Sequence, residues 1–271
     1  MKKTIFICFI FFILFSSKIF SQNNCAEKNF AFQAGEKLTY SIKYNWHFVW
    51  LNAGTITFKT NLKNYYGTPC YYFQADGSTF PEYDHFYAVR DSFSAFMDTT
   101  YLYPLRFTRN SNEGGNIIFN DIVFNNENNT IYSVISENRK AFHSKKIKTN
   151  NCIFDPLNAV YRTRNLDFSH LKINDTIPVA MVLDSTVYHI HVRYLGKTKY
   201  TSAKFGTFNC IKFNVLLISG TIFKGGAYMS VWVTDDKNRI PIHVEAPIVV
   251  GSVKVDLINY SGLRNTITSK K

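Results

Sequence analysis

The sequence predicts an all-β fold in which one or two large, curved antiparallel sheets form an open barrel or a sandwich, with one short covering helix. Three observations support this fold class. The 271-residue chain contains 25 Phe and 17 Tyr, and aromatic residues favour the half-buried surface of a pleated sheet. About a dozen short segments alternate apolar and polar residues, as strands do. One segment, from Asp155 to Leu166, has helical spacing instead.

The predicted strands follow one another along most of the chain. Turn residues separate them, such as the Asn-rich run at 125–129 and the glycine at Gly206. A series of strands joined by short turns predicts an antiparallel meander. The predicted strands are 38–44, 54–63, 70–75, 84–97, 105–109, 117–124, 130–136, 187–200, 207–218, 229–235, 239–245 and 252–260.

The stretch 230–241, SVWVTDDKNRIP, is the clearest hairpin. Its first strand alternates valines with Trp232, and the alternation resumes around Pro241. Asp235 and Asp236 start the polar reversal between the strands. Carboxylates at this spacing could also suggest calcium, but the EF-hand loop pattern is missing. We therefore interpret both residues as turn residues.

The predicted helix begins at Asp155, a residue type that caps helix N-termini, and Pro156 suits the first helical position. Tyr161 and Arg164 lie three residues apart and belong to one face of the helix. A single helix of three turns predicts a cover for one face of a curved sheet. It also divides the strands, so two sub-sheets separated near residues 150–170 are an alternative to one sheet.

The N-terminus has the pattern of a signal peptide. Lys2 and Lys3 precede an apolar run at 4–15, which is short for a membrane span. We predict cleavage between Ser21 and Gln22, with an uncleaved anchor as the alternative. Residues 1–21 would then be the signal peptide and residues 22–271 a single β-rich domain. The predicted location is the periplasm or cell envelope, or the medium after secretion.

The chain is basic, with a formal net charge of +12. Its positive residues are scattered, and the densest group is Lys145, Lys146 and Lys148. No zinc-finger, RNP or helix-turn-helix pattern accompanies them, so we exclude nucleic acid as a partner. Weak contact with an anionic envelope surface, either lipid or polysaccharide, is the expectation.

The cysteine count leaves the disulfide pattern open. Loss of the signal peptide leaves Cys25, Cys70, Cys152 and Cys210, which allow three pairings. An exported chain can form disulfides, but a chain of this length does not require them. The absence of a CxxC motif argues against a zinc ribbon and a redox site. We predict no cofactor.

Several stretches resemble the motifs of one family. They are F-x-x-G-E-x-L-x-Y at 32–40, a helix similar to D-x-L-S-A-x-Y-x-x-R with Asn158 at the Ser position, G-x-F-x-C at 206–210, and the hairpin at 230–241. Over roughly residues 30–263 the chain resembles domain of unknown function 3108 (DUF3108), a family of exported bacterial proteins. The residues that we assign to structural motifs are Gly35, Glu36, Asp155, Pro156, Tyr161, Arg164, Gly206, Cys210, Trp232, Asp235, Asp236, Pro241 and Gly251.

The resemblance implies an antiparallel β structure in the cell envelope and implies no reaction. Gly35 and Gly206 suit turns with positive φ, and Gly251 suits a bend or a close backbone approach. Glu36 is expected to pair with a basic group such as Arg162 or Arg164.

Two constellations could carry chemistry. His189 and His191, with Arg193 beyond them, share a face of a strand, where two histidines could bind a metal. A solvent-facing polar row is the interpretation we prefer. Further upstream, Glu82, Asp84 and His85 could act as acid–base residues, but a charged turn explains them better. We therefore predict no catalytic and no metal-binding residues.

Three functions remain open from the sequence. The first is a non-enzymatic envelope protein that binds a lipid-like or glycan ligand on a concave face lined by Phe and Tyr. The basic charge would suit an amphiphile with an anionic head group. The second is an accessory or structural protein that acts through an unknown protein partner, using an aromatic surface or a strand edge. The third is a hydrolase of envelope glycans or lipids.

Overall fold

The computed structural model of the chain describes residues 25–46, 49–149, 152–218 and 225–271. The predicted signal peptide, residues 1–21, lies outside this part. The strands are β1 Lys37–Trp46, β2 Val49–Tyr65, β3 Thr68–Thr79, β4 Val89–Asp98, β5 Pro104–Glu113, β6 Asn116–Asn125, β7 Thr130–Glu137, β8 His143–Lys148, β9 Ile153–Phe154, β10 Thr176–Leu183, β11 Thr186–Ser202, β12 Gly206–Leu216, β13 Tyr228–Thr234, β14 Pro241–Pro247 and β15 Ser252–Ser261. The helices are α1 Asp84–Tyr87 and α2 Pro156–Thr163.

All fifteen strands belong to one sheet, which confirms the all-β fold class. The order is β8-β7-β6-β5-β4-β3-β2-β1-β15-β14-β13-β12-β11-β10-β9. The chain runs outward from β1 to the edge at β8, continues at the opposite edge with β9, and returns until β15 pairs with β1. The first half is therefore a meander, but β9 lies parallel to β10. The alternative of two sub-sheets near residues 150–170 is not what the structure has.

The sheet is rolled, so its two edges approach each other without pairing. Only a few residues separate the end of β8 from the start of β9. The turn between β10 and β11 contacts the other half of the sheet, where Asp184 bonds Arg109 at 2.8 Å and Ser185 lies 2.9 Å from Ser133. This arrangement is an open barrel. Its seam, where the β10–β11 turn meets β5 and β7, is held by side-chain contacts.

Helix α2 lies inside the curve. The Asp155 carboxylate accepts hydrogen bonds from the backbone N–H groups of Leu157 and Asn158, as an N-cap does. The helix ends at Thr163, three residues before the predicted end. On its inward side, Tyr161 stacks on Phe73 of β3 with ring centroids 3.7 Å apart. Helix and sheet thus share the main hydrophobic core, and we call the side of the sheet that carries α2 its inner face.

Four segments differ from the sequence prediction. Residues 84–88 were expected to begin a strand, but Pro81–Tyr83 forms a 3₁₀ turn and α1 follows it. Pro81 suits a helical start, and Asp84 accepts a hydrogen bond from Thr79 that favours the turn. Strands β8, β9 and β10 were not predicted. β8 is rich in lysine, as edge strands often are, and β10 (TIPVAMVL) lacks alternation and contains a proline.

Candidate functional site

Two residues of the family-like motifs, Glu36 and Arg164, form a buried ion pair. Two nitrogens of Arg164 bond the two carboxylate oxygens of Glu36 at 2.6 and 2.8 Å, and both side chains are almost fully buried. Arg164 also donates to the backbone carbonyls of Asn238 and Ala31. Of the two arginines that the sequence suggested for Glu36, Arg164 is therefore the partner. The pair joins β1, the residue after α2 and the β13–β14 turn.

The β13–β14 turn is built by its own carboxylate. Asp236 accepts hydrogen bonds from Thr234 and from the backbone N–H groups of Asn238 and Arg239, and Ser269 of the C-terminal segment also donates to it. Asp235 pairs with Lys197 at 2.8 Å. Both carboxylates therefore have partners within the protein, which agrees with a turn role. The Glu36–Arg164 pair is buried and stabilises the fold, whereas Asp235 and Asp236 in the turn are part-exposed.

The other motif residues also have local structural roles. Gly35, Gly206 and Gly251 all have positive φ, between 81° and 90°. At Gly251 a Cβ atom would lie 2.7 Å from the carbonyl oxygen of Asn45. The end of β1 and the β14–β15 turn thus approach too closely for a side chain at this position. Cys210 is buried beneath the aromatic residues of β11 and β13. Pro241 starts β14, where its carbonyl accepts a hydrogen bond from Tyr40.

Within the described residues, the four cysteines form one disulfide and two free thiols. Cys25 and Cys152 are bonded, which ties the segment before β1 to the segment before β9. Cys70 and Cys210 are free and buried. Burial raises the pKa of Cys70 to about 11 and that of Cys210 to about 12. Neither free thiol is thus a reactive nucleophile.

A charged network on the outer face was not predicted from the sequence. Both ring nitrogens of the buried His243 face carboxylates, with Nδ1 2.7 Å from Asp256 and Nε2 3.1 Å from Glu245. Carboxylates only accept, so this is the hydrogen-bonding pattern of a protonated imidazole. The ring of Tyr200 stacks on His243, and Trp232 packs beside it. Aromatic rings cover the buried His243 while Glu245 reaches the solvent, and we interpret the network as a structural cluster.

The inner face of the returning strands is aliphatic and only partly covered. Paired positions of neighbouring strands point to the same face, and the pairs Val231–Val244, Val244–Val255 and Val255–Ile42 form one continuous row. Ile42 lies two residues from Tyr40, whose partner Ile56 packs on the main core. The row thus belongs to the inner face, and all four of its members are part-exposed.

A second row lies beside the first, nearer the β14–β15 turn. It contains Val215 and Met229, which pair with each other, and Val253, which pairs with Tyr44. These side chains are also part-exposed. The concave lining was expected to be aromatic. Instead, large aromatic residues such as Phe73, Phe107 and Tyr161 fill the core completely, and aliphatic side chains remain available to a ligand.

Three carboxylates gather around one guanidinium on the inner face of β4 and β5. Arg109 bonds Asp184 at 2.8 Å and lies 3.6 Å from Glu113, and Asp91 lies on the same face. Each of the three carboxylates has one buried oxygen without a hydrogen-bond partner among the described residues. The cluster therefore carries more negative charge than Arg109 neutralises, which is unusual for buried groups.

The environment of the cluster disfavours ionisation. Burial, and then the negative charge of Glu113, raise the pKa of Asp91 to about 7. Burial also raises the pKa of Asp184, although Arg109 opposes this. Tyr87 of α1 lies close by, and burial and the two nearby carboxylates raise its pKa. An open cleft of about 390 Å³ borders Asp91, although most of its lining residues, such as Ser92, Asn110 and Phe119, belong to the other face of the sheet. Carboxyls with perturbed pKa values are candidate functional groups.

Neither constellation singled out from the sequence forms a site of this kind. The His191 ring bonds the hydroxyl of Tyr228 at 3.0 Å. The Arg193 guanidinium lies over the ring of Tyr228. His189 is exposed. In the part of the chain that the structure describes, no group of three or more His, Cys, Asp or Glu side chains is arranged to hold a metal ion.

The second constellation is the turn between β3 and β4. Asp84 accepts hydrogen bonds from Arg90 at 2.5 Å and from Thr79 at 2.8 Å, and these bonds lower its pKa. The ring of His85 lies beside Phe86, and Glu82 is exposed. Asp84 thus braces the start of β4.

Comparison with known proteins supports the fold and leaves the activity open. A family model described as "Protein of unknown function (DUF3108)" matches residues 39–258. The chain is also similar to the crystal structure of a β-barrel-like protein of domain of unknown function DUF1849 from Brucella abortus. That similarity has a TM-score of 0.56 and 10% identity, and it covers 85% of this chain and 99% of the other. No curated protein matches. Among the described residues, no helix is long and apolar enough to cross a membrane.

Proposed function

The chain belongs to the DUF3108 family, and we propose that it is an exported, non-enzymatic protein of the cell envelope that binds a hydrophobic or amphiphilic ligand on the inner face of its sheet. The observation that carries this proposal is the continuous, part-exposed aliphatic row Val231, Val244, Val255 and Ile42. Apolar side chains that the protein itself does not cover gain free energy when a ligand removes them from water.

The chemistry of this face favours a lipid-like ligand over a glycan. Valine, isoleucine and methionine side chains offer no hydrogen bonds to sugar hydroxyls, and a hydroxyl that loses water without a new partner costs free energy. An alkyl chain has no such requirement. The predicted signal peptide supports an envelope location, where such ligands are abundant.

Native mass spectrometry of protein purified from its own envelope tests the proposal. We expect a bound mass of lipid size that dissociates on collisional activation. The variant Val231→Ser/Val255→Ser places two hydroxyls in the row and should lose this mass, whereas Val49→Ser, which changes an exposed residue at the start of β2, should keep it. Protein without a bound mass, which also fails to take up added lipid, would contradict ligand binding.

A second candidate function, partner binding, rests on a different surface. Val49 and Trp50 start β2, Val249 and Val250 lie in the β14–β15 turn, and all four are exposed. The start of β2 and the β14–β15 turn lie at the same end of the sheet, since Tyr44 pairs with Val253 and also with Leu51. Neighbouring exposed apolar residues often mark contacts with another protein. Cross-linking in the envelope, with Val249→Ser/Val250→Ser as the variant, would test this alternative.

The hydrolase hypothesis is the weakest fit to the geometry. Glycoside hydrolysis uses two carboxyls that both reach the scissile bond. Asp91 is half-buried, but Glu113 is 7% exposed and lies next to Arg109. Glu113 is thus engaged by Arg109 and is not a free second carboxyl for this reaction.

A further inference from the structure

The aliphatic rows and the acidic cluster lie on one continuous surface of the sheet. On the inner face, Tyr40 pairs with Ile56, Ile56 with Gly77, and Gly77 with Asp91. Glu113 lies two residues beyond Ser111, the partner of Asp91, and so faces the same way. The row through Ile42, immediately beside this one, belongs to the proposed ligand surface.

The row that connects the two regions contains a position without a side chain. Gly77 has no side chain, and a Cβ atom there would meet Ile56 at an ordinary contact distance of 3.6 Å. In the neighbouring row, Ile42 pairs with Gly54, where the β3 backbone at Ser78 fills the space that a side chain would occupy. Three strand spacings separate β1 from β4, or about 14 Å along the sheet. An extended alkyl chain on the aliphatic rows could therefore place its end near Asp91.

We propose that the ligand is an amphiphile with a cationic head group, held by Asp91 and Glu113. This inference rests on the proposed function and specifies the class of its ligand. Glu113 is more than nine-tenths buried, and its Oε2 atom has no partner among the described residues. Asp91 Oδ1 likewise has no donor among these residues, and a hydrogen bond between the two carboxyls requires one of them to be protonated. A cation that reaches these oxygens would supply the hydrogen bonds and the positive charge that Arg109 alone does not.

An organic cation fits these oxygens better than a metal ion. Calcium and magnesium require several oxygens within 2.0–2.6 Å of one point, and no such group of side chains is found among the described residues. Ammonium or guanidinium donors bond oxygens at about 2.7–2.9 Å and span wider gaps. The positive net charge of the chain suggested an anionic head group, but the inner face at this position is acidic.

Calorimetric titration of the purified protein with three ligands of equal chain length tests the inference. The ligands are decylammonium, decanol and decanoate, each below its micelle concentration. We expect decylammonium to bind at least about tenfold more tightly than the other two, as one charge-assisted hydrogen bond predicts. Asp91→Asn/Glu113→Gln should remove this preference and leave the affinity for decanol unchanged, which also shows that the variant is folded.

The matched control is Asp76→Asn, which removes an exposed carboxylate of β3 that pairs with Lys59. It should keep the full preference for decylammonium. Equal binding of the three ligands, or tighter binding of decanoate, would overturn the cationic head group and leave the proposed function standing. If butylammonium bound as tightly as decylammonium, the acids would receive a lone cation, such as a partner's lysine, and the amphiphile would be excluded. Failure of all these ligands to bind would contradict the proposed function itself.

Discussion

Glu36 and Arg164 form a bidentate, buried ion pair although 128 residues separate them in the chain. Glu36 precedes the first strand, and Arg164 follows the helix inside the curve of the sheet. The arginine also holds the β13–β14 turn through the carbonyl of Asn238. One side chain thus fixes the start of the sheet, the helix and a late hairpin relative to one another. Tyr161, another residue of the family-like motifs, lies beside Arg164.

Glu36→Gln should destabilise the protein strongly. Removal of one partner leaves the other charge buried and uncompensated, which typically costs about 3–5 kcal/mol. The double variant Glu36→Gln/Arg164→Met should recover part of this loss, because it leaves no unpaired charge. Urea unfolding followed by circular dichroism measures both effects. Lys59→Met is the control, since the exposed Lys59–Asp76 pair contributes less than about 1 kcal/mol. A loss of less than about 1 kcal/mol in Glu36→Gln would show that the ion pair contributes little to the stability of the fold.

Reduction of the Cys25–Cys152 disulfide should lower stability without unfolding the protein. The bond spans 127 residues of sequence, and in the chain-entropy model the loss for such a loop is about 5 kcal/mol. Cys25→Ser/Cys152→Ser should show the same loss, and a reductant should change its stability no further. Unfolding curves with and without dithiothreitol decide the matter. A reductant effect of similar size in the double variant would point to another disulfide.

The sequence predicts the strands well where side chains alternate, and fails where tertiary contacts decide. The hairpin around Asp235 and Asp236 has both alternation and turn residues, and its interpretation needed no distant contact. β10 has neither, and it is a strand because β11 pairs along its full length. The choice of Arg164 over Arg162 as partner of Glu36 likewise depends on which side of α2 meets the sheet.

The acidic cluster could not be assembled from sequence spacing. Asp91, Glu113 and Asp184 lie on three segments that the roll of the sheet brings together. One local signal was available, because Asp91 shares its strand face with Phe93 and Ala95, which point into the core. An acid at an inward position of a strand is a useful warning of an unusual site. The aliphatic lining was also hidden, since core and concave surface share one pattern.

Asp91→Asn should stabilise the protein near neutral pH. The folded-state pKa is about 7 because of burial and Glu113, whereas an unfolded chain has an Asp pKa of about 3.9. Between these values the folded state binds more protons, so this carboxyl lowers stability as pH rises. We expect a gain of about 2 kcal/mol in the variant at pH 8, after allowance for partial exposure, and almost none at pH 4. Urea unfolding at the two pH values tests this, with Asp76→Asn as control. A loss of stability at pH 8 would contradict the assignment.

Stability and ligand binding are expected to place opposite demands on Asp91. A residue that weakens the fold and improves nothing would be expected to drift to a neutral type, whereas binding sites commonly retain such residues. If Asp91→Asn raises stability and also removes the preference for decylammonium, the carboxyl that destabilises the fold is the one that binds the cation. Stabilisation without any change in binding would assign the cluster to the seam of the rolled sheet alone.

Asp256→Asn should destabilise the protein, and the loss should disappear in acid. Burial opposes ionisation of Asp256, but hydrogen bonds from His243, Tyr200 and Lys43 outweigh it and hold its pKa well below the usual range. The unfolded chain therefore takes up a proton first as pH falls below about 4, and the contribution of Asp256 to stability is lost there. At pH 7 we expect a loss of about 2–3 kcal/mol. Glu245→Gln, on the exposed side of the same histidine, should cost less than about 1 kcal/mol. If Asp256→Asn cost as much at pH 2.5 as at pH 7, the loss would come from packing rather than from the charge.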